Sequence, residues 1–201
     1  MARRPGTDPT AGDDPLPVKL ANTVGWRFDP ARRVERLPAG DALLAWAGGV
    51  GLLSAAEARA VAAAGRTSLD AEAARVRDLR EAAYAALDAH AAGQPPPAAA
   101  LAGVRDAVVD AMAHAAPSAD LPLTWVVAAD DERVVARRLA LGVAELLASP
   151  DLSRVGRCAN EPCGWLFLDR TRSRTRVWCS SAGCGNRERA KRHYRRQHQG
   201  P

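Results

Sequence analysis

The segment at positions 158–196 reads CANEPCGWLFLDRTRSRTRVWCSSAGCGNRERAKRHYRR and contains all four cysteines of the chain. They are Cys158, Cys163, Cys179 and Cys184, which form two C-x4-C pairs separated by fifteen residues. In this layout each short pair supplies a turn that directs two sulfur atoms to one point, as in tetrahedral Zn²⁺ sites. The spacing therefore predicts one structural zinc ion held by these four cysteines.

Two other interpretations of the cysteines are less favoured. Disulfide bonds are disfavoured because residues 1–8 show no apolar run behind their arginines, as a secretory signal would. We therefore expect a cytoplasmic protein with reduced thiols. A Cys2His2 finger that uses His193 and His198 would need a spacer of about 12 residues after the second cysteine, and the spacer here is shorter.

The residues around the cysteines predict a small treble-clef-like module. Aromatic and β-branched residues at 165–168 and 176–178 flank the polar run 169–175, a pattern typical of a β-hairpin. Asn186 is suited to cap a helix that continues to Arg196. A segment of about 45 residues builds little core of its own, so the metal is expected to supply much of the folding free energy. We expect its aromatic residues Trp165, Phe167 and Trp178 to form the small core around zinc.

The charge is distributed unevenly along the 201 residues, whose net charge is +5. From Asp151 onward, eleven arginines and one lysine oppose four acidic residues, which gives +8; the remaining 16 basic and 19 acidic residues give the first part −3. This change coincides with the cysteines and places a boundary near Ser149-Pro150. We predict a disordered tail at 1–15, a helical domain at 16–150, and a zinc module with a basic C-terminal helix at 151–201.

The first 150 residues have the pattern of a mainly α domain. Apolar residues at three- and four-residue steps, with stop signals between them, predict five helices and one short strand. The helices are expected at about 41–47, 54–65, 69–92, 98–115 and 131–148, and the strand at 121–127. The segment 18–26 is too short to decide between strand and helix. We expect the core of this domain to be separate from the zinc module.

Three tryptophans of the helical domain have two possible roles. Trp26, Trp46 and Trp125 are favoured as core residues, because large aromatic side chains are usually buried. The alternative is that they form the walls of a pocket for a small-molecule effector of unknown identity. The longest apolar run, between Asp41 and Glu57, is too short to cross a bilayer, so we expect no membrane partner.

The basic residues of the zinc module predict contacts with nucleic acid. Arginines alternate along the polar run, where an extended chain would project them to one face, and basic residues crowd the terminal helix. The predicted contacts are Arg170, Arg172, Arg174, Arg176, Arg187, Arg189, Lys191, Arg192, Arg195 and Arg196. We assign Arg170, Arg172 and Arg174 to phosphates and Arg187 with Lys191 to the DNA groove.

Two residues of the terminal helix have possible contacts within the protein. Arg187 directly follows Cys184-Gly185-Asn186, so it could stabilise the zinc loop instead of contacting bases. Glu188 is placed to pair with Arg192 one turn further along the helix.

Several segments together resemble the CGNR zinc-finger family. They are C-x4-CGWLFLD at 158–169, RVWC at 176–179 and CGNR at 184–187. In that family the finger ends a chain that begins with a mostly helical ABATE domain, and LANTV at 20–24 and LLAW at 43–46 resemble its opening segments. The resemblance implies a bacterial, stress-induced regulator that binds DNA.

The sequence favours a DNA-binding transcription regulator with a helical sensing or dimerising domain. No phosphate-binding loop, nucleophile elbow or HExxH pattern is present, and four thiolates would leave zinc no open coordination position. We therefore expect no enzymatic activity. Double-stranded DNA is the expected partner and a homodimer the expected assembly. An RNA-binding protein and a protein-interaction adaptor with a purely structural zinc site remain as alternatives.

Overall fold

The computed structural model describes residues 13–198, so most of the tail predicted at 1–15 lies outside the described residues. The described residues form seven α-helices and three two-stranded antiparallel sheets. The helices are α1 (Leu16–Ala21), α2 (Gly40–Gly49), α3 (Ala55–Ala63), α4 (Arg66–Ala91), α5 (Ala98–Ala113), α6 (Val134–Ala148) and α7 (Asn186–His198). The sheets pair β1 (Val24–Gly25) with β2 (Val34–Glu35), β3 (Ala115–Pro117) with β4 (Trp125–Val127), and β5 (Val155–Arg157) with β6 (Leu166–Leu168). The predicted mainly α fold is confirmed.

The long helix α4 is the centre of the helical part. Its predicted apolar stripe is buried at every position, namely at Leu69, Ala73, Val76, Leu79, Ala83 and Leu87. The stripe of α6 is buried in the same way, at Val135, Leu139, Val143 and Leu146. On α5 only Val104 of the predicted face is buried, because α5 packs on α4 and α6 from one side. Leu101 and Met112 of α5 stay 45% and 37% exposed.

A local sequence signal determines where α3 begins, as predicted. Ser54 and Glu57 form a reciprocal capping box at the start of α3. The undecided segment 18–26 divides into the end of α1 and the short strand β1. Within residues 13–198, none of the helices has both the length and the apolar character needed to cross a membrane.

The strand pairing in the zinc module differs from the predicted hairpin. Strand β6 pairs with β5, upstream of the first cysteine, in the register Val155 with Leu168, and not with residues 176–178. This pairing buries Val155, Leu166 and Leu168 against the helical part, which pairing across the polar run could not do. Residues 170–175 are exposed and form a turn and loop instead.

The zinc module and the helical part share a hydrophobic cluster. Buried residues of α1, α4 and α6 pack against the two strands of the module, and the cluster consists of Val18, Ala21, Tyr84, Leu87, Leu146, Val155, Leu166 and Leu168. The prediction that the helical domain has a core separate from the module is therefore wrong where α1, α4 and α6 meet β5 and β6. The physical reason is that β5 and β6 carry more apolar side chains than a module of this size can cover by itself.

Asn22, between α1 and β1, binds the module through its side-chain amide. Its Nδ2 donates to the Leu166 carbonyl and its Oδ1 accepts from the Leu166 amide, both at 2.9 Å. Asn22 is 5% exposed, so neither backbone group has water as an alternative partner. Nearby, the Trp165 indole donates to the Val24 carbonyl at 2.8 Å. The amide of Asn22 thus takes the place of a third strand beside β6.

We expect Asn22→Ala to lower the free energy of unfolding of the whole chain by about 2–4 kcal/mol, because two buried backbone groups lose their partners. Chemical unfolding followed by circular dichroism measures this change. Gln94→Ala, which removes an exposed amide, is the matched control and should leave stability unchanged. Equal stability of Asn22→Ala and the control would contradict the role assigned to Asn22.

Candidate metal centre and basic surface

The four cysteines meet at one point, as their spacing predicts. Their sulfur atoms all lie within 4.8 Å of one another. The Cys179 sulfur is 3.7 Å from that of Cys163 and 3.7 Å from that of Cys184. A tetrahedron with Zn–S bonds of about 2.3 Å has edges of about 3.8 Å. The sulfur positions therefore fit a zinc ion with four thiolate ligands.

The first cysteine pair is held by the turn that joins β5 to β6. The Cys158 amide donates to the Trp165 carbonyl, and the Cys163 amide donates to the Asn160 carbonyl, both at 2.8 Å. Gly164, which follows, has φ +67°, and a Cβ there would lie 2.8 Å from the Cβ of Arg27. Its carbonyl accepts a 2.8 Å hydrogen bond from the hydroxyl of Tyr84 on α4. Only glycine fits at this turn, which is pressed against the helical part.

The second pair is held by a tight turn at the start of α7. Residues Ser181–Gly185 form a single π-helical turn that contains the buried Cys184. The hydroxyl of Ser180 caps this turn by accepting from the Gly183 amide at 3.1 Å. Cys179 lies just before it and is the one half-exposed cysteine of the four.

Hydrogen bonds from its neighbours favour the thiolate form of Cys184. The pKa of its thiol is lowered, first by the side chains of Cys158, Cys163 and Cys179 and then by Arg187. The pKa of both Cys163 and Cys179 is raised, with the Cys158 side chain as the first cause. Four thiols this close cannot all ionise unless a cation lies between them. The donor set therefore requires a metal to take its fully deprotonated form.

Two side chains donate to the Cys184 sulfur from outside the ligand set. They are the Asn160 amide and the Arg187 guanidinium, each at 3.3 Å. A Zn²⁺ ion with four thiolates has a net charge of −2, and donors of this kind stabilise it. Asn160 is not among the residues predicted for the site, although its position two residues after Cys158 is a signal that could have identified it.

Arg187 lies between the metal centre and the helical part. Its guanidinium carbon is 4.8 Å from the centre of the Trp26 ring, and Trp26 follows β1 with φ +51°. The Nε atom of Arg187 is buried and has no hydrogen-bond partner within residues 13–198. Of the two roles considered for Arg187, this geometry corresponds to stabilisation of the zinc loop. The distant Trp26 could not be connected to the site from sequence spacing.

The two C-terminal histidines lie away from the sulfur cluster. The group of potential metal ligands found in residues 13–198 contains the four cysteines and no histidine. His193 is exposed, and the ring of His198 stacks on Tyr194 with centroids 3.9 Å apart. The Cys2His2 alternative is therefore not supported.

The aromatic residues of the module are mostly in its interior. Trp165 is 8% and Phe167 is 3% exposed, and the half-buried Trp178 packs against the cysteines. In the helical part, Trp46 is 6% exposed, as predicted for a core residue. The same prediction is wrong for Trp125, which is 48% exposed, because β4 belongs to an isolated two-stranded sheet with an open face.

Five of the ten predicted nucleic-acid contacts form bonds within the protein. Arg176 donates to the carbonyls of Leu168, Trp178 and Cys179. Arg187 binds Cys184 as described, and the other three are each occupied by a neighbour. Arg170 donates to the Asp13 carbonyl, Arg189 donates to Ser181 and Asn186, and Lys191 pairs with Glu188 at 2.7 Å. Glu188 therefore pairs with Lys191. The predicted pairing of Glu188 with Arg192 is wrong.

The other five form what we call the basic surface. It consists of Arg172 and Arg174 in the loop and Arg192, Arg195 and Arg196 on α7. All five are exposed, and none forms a hydrogen bond or an ion pair with another residue of the described range 13–198. Helix α7 itself has no buried residue in its described part and packs chiefly on the turn at Ser181–Gly185.

We expect the purified protein to contain about one zinc ion per chain, since four cysteines complete one tetrahedral shell. Cys179→Ser should abolish stoichiometric binding and also lower the midpoint of helix unfolding, because β5 and β6 share a core with α1 and α4. Metal analysis and thermal circular dichroism measure the two effects, with Ser181→Ala as the control. A metal-free chain with an unchanged thermal midpoint would contradict this account.

Arg187→Ala should weaken zinc binding by about 10- to 100-fold, as loss of a partner of a metal ligand typically does. Competition with a chromophoric chelator measures the affinity. Arg192→Ala, which removes an exposed arginine from the same helix, is the matched control and should bind zinc as the unmodified chain does. Unchanged zinc affinity in Arg187→Ala would return Arg187 to the set of possible DNA contacts.

Comparison with known families agrees with the fold and the site. The family model for the CGNR zinc finger matches residues 154–197. The model for the ABATE family, described as "Putative stress-induced transcription regulator", matches residues 14–150. A search of curated proteins finds no match. The ABATE match spans most of the chain, and the finger follows it in the predicted order: the chain belongs to the ABATE family and ends in a CGNR zinc finger.

Proposed function

We propose that this protein is a transcription regulator that binds double-stranded DNA through the basic surface of its zinc finger. The observation that carries the proposal is the set of five exposed arginines that have no hydrogen-bond or ion-pair partner among residues 13–198. Arginines that stabilise a fold are paired, as Arg176 and Arg187 are here. Arginines left unpaired on a charged helix gain most from phosphates, whose binding releases condensed counterions.

The helix that carries three of the five arginines suits a duplex. Helix α7 has 13 residues and is therefore about 20 Å long, and an α-helix fits the major groove. Its arginines at 192, 195 and 196 lie beyond the first turn, away from the zinc centre. Arg172 and Arg174 belong to a separate loop of the same finger. Two basic elements on one rigid module can contact phosphates at two places on the backbone.

The buried aromatic residues favour duplex DNA over single-stranded RNA. Proteins that bind single strands stack bases on exposed aromatic side chains. Trp165 and Phe167 are buried and thus unable to stack on a base. Tyr194 is 62% exposed, but it already stacks on His198.

In this proposal the zinc ion is structural and the protein is not an enzyme. Four sulfur ligands complete a tetrahedral shell, so no position is left for a substrate or a reactive water. The ion would fix the turns that direct α7 and the arginine loop. We further propose that the protein acts as a homodimer, since one small finger offers few contacts and paired sites raise affinity. The description of the ABATE family suggests that stress is the signal.

We expect the zinc-loaded chain to bind a duplex with an affinity that falls steeply with salt. Removal of the basic surface, as Arg172→Ala/Arg174→Ala or Arg192→Ala/Arg195→Ala/Arg196→Ala, should weaken all sequences alike and reduce the slope of log affinity against log salt by about 0.9 per lost contact. Fluorescence anisotropy over a salt series measures both effects. Arg66→Ala/Arg105→Ala, which removes two exposed arginines of the helical part, is the control.

Three outcomes would contradict the proposal. One is duplex binding with the same salt slope in the unmodified chain and the basic-surface variants. Another is stronger binding to single-stranded RNA than to a duplex of equal length, which would favour the RNA alternative. The third is binding to neither, with recovery of a specific protein partner, which would favour the adaptor alternative. Sedimentation of the free chain and of its DNA complex tests the dimer separately.

A further inference from the structure

An open groove of about 900 Å³ lies on the helical part, away from the cysteine cluster. One wall is the segment 123–127, which contains β4, and the other is formed by α5 and α6. On α6 the groove follows the positions Arg138, Leu141, Gly142 and Glu145, which share one face at three- and four-residue steps. This face adjoins the buried stripe of α6, whose last residue, Leu146, also lines the groove. The size is within the range of small-molecule sites, about 300–1,000 Å³.

The walls of the groove are apolar and contain an accessible aromatic ring. Leu123, Trp125 and Val126 of the segment 123–127 line it while remaining about half exposed, at 57%, 48% and 47%. Met112 of α5 faces it from the other side. Apolar side chains exposed together on a monomer usually mark a binding site. The side chain of Trp125 is therefore accessible to a ligand in the groove.

The floor of the groove owes its depth to Gly142. A Cβ at this helical position would meet only the ring of Pro17, at 4.0 Å, which is an ordinary contact. A side chain larger than a methyl group would extend into the space that the groove now provides. Gly142 therefore offers a substitution that fills the groove without straining the backbone.

The positive charge in the groove is already neutralised. The Arg138 guanidinium donates to the carbonyls of Leu52 and Val127 and pairs with Glu57 at 2.7 Å. The pKa of Glu57 is accordingly lowered to about 2, with the hydrogen bond from Arg138 as the largest cause. The charge of Arg138 is thus compensated by Glu57 and does not favour an anion in the groove.

The negative charge in the groove is not neutralised. Glu145 lines the groove from α6 and forms no hydrogen bond or ion pair with any other residue between 13 and 198. Asp151, at the end of the groove, is 3.8 Å from the Arg154 guanidinium, at the edge of an ion pair. An apolar cleft with an exposed indole and an unpaired carboxylate complements a cation that carries apolar groups.

We propose that this groove binds a lipophilic organic cation, with Glu145 opposite its charge, Trp125 against its cationic or aromatic face, and Gly142 as the floor. The site lies on the ABATE part of the chain and its argument makes no use of the basic surface. Its failure would therefore leave the DNA-binding proposal unaffected.

The probe is tetraphenylphosphonium, and tetraphenylborate is its control, because the two ions have nearly the same shape and opposite charge. Quenching of tryptophan fluorescence and isothermal titration calorimetry on the full zinc-loaded chain measure their binding. We expect tetraphenylphosphonium to bind more tightly than tetraphenylborate by at least about threefold, since an accessible carboxylate and a cation–π contact favour the cation alone.

Three variants assign the binding to the groove. Glu145→Gln should weaken the cation by about three- to fivefold and leave the anion unchanged or tighter. Trp125→Ala should weaken the cation by about three- to tenfold. Gly142→Leu should abolish binding of both ions by filling the groove, while its helix content and thermal midpoint stay at or above those of the unmodified chain. Glu132→Gln, which removes an exposed carboxylate two residues before α6, is the control for charge.

Each remaining outcome would overturn the proposal. Equal binding of the two ions, with no effect of Glu145→Gln, would show that the groove binds apolar groups without selecting for positive charge. Binding that survives Gly142→Leu would place the ligand elsewhere. Absence of cation binding, together with a dimer in sedimentation that Trp125→Glu dissociates, would show that a second copy of the chain covers the groove.

Discussion

The pairing of the Asn22 amide with the backbone of Leu166 is the contact on which the architecture depends. A side-chain amide satisfies both polar groups of one residue in a buried strand, and it does so at the junction of α1 and β1. Without it, β6 would keep an unsatisfied edge inside the shared cluster, at a cost that a small module could not offset. Because the contact joins positions 144 apart in sequence, the folded finger includes a contact that only the helical part supplies.

The metal centre continues this dependence on the helical part. The Gly164 turn that precedes β6 rests on Tyr84, and Arg187 reaches from the Cys184 sulfur to Trp26. A thiolate centre of charge −2 needs donors around it, and part of that surrounding comes from residues before position 30. Zinc binding and the docking of the finger are thus coupled through the same few contacts, because the small cluster around the cysteines adjoins the cluster that the finger shares with the helical part.

The sequence predicts best what depends on local spacing. The cysteine ligands, the capping box at Ser54 and the stripes of α4 and α6 follow from fixed intervals, and all are present in the structure. It predicts poorly what depends on distant partners. The predicted strand partner of β6 is wrong, because the aromatic pattern at 176–178 gives no information about the buried face of β5. Likewise, charge alone could not separate Arg176, which donates to backbone carbonyls, from Arg172, which has no partner in the described part of the chain.

The groove and the finger share structural elements, and this gives the two ends of the molecule a physical connection. Leu146 of α6 lines the groove and also packs in the cluster with Leu166 and Leu168. Helix α1 is shared in the same way, since Pro17 lies in the groove and Val18 in the cluster. Close-packed interiors transmit small displacements instead of absorbing them. A ligand that separates α1 from α6 would therefore alter the packing under β5 and β6. It would thereby change the contacts that hold the finger, with its basic surface, on the helical part.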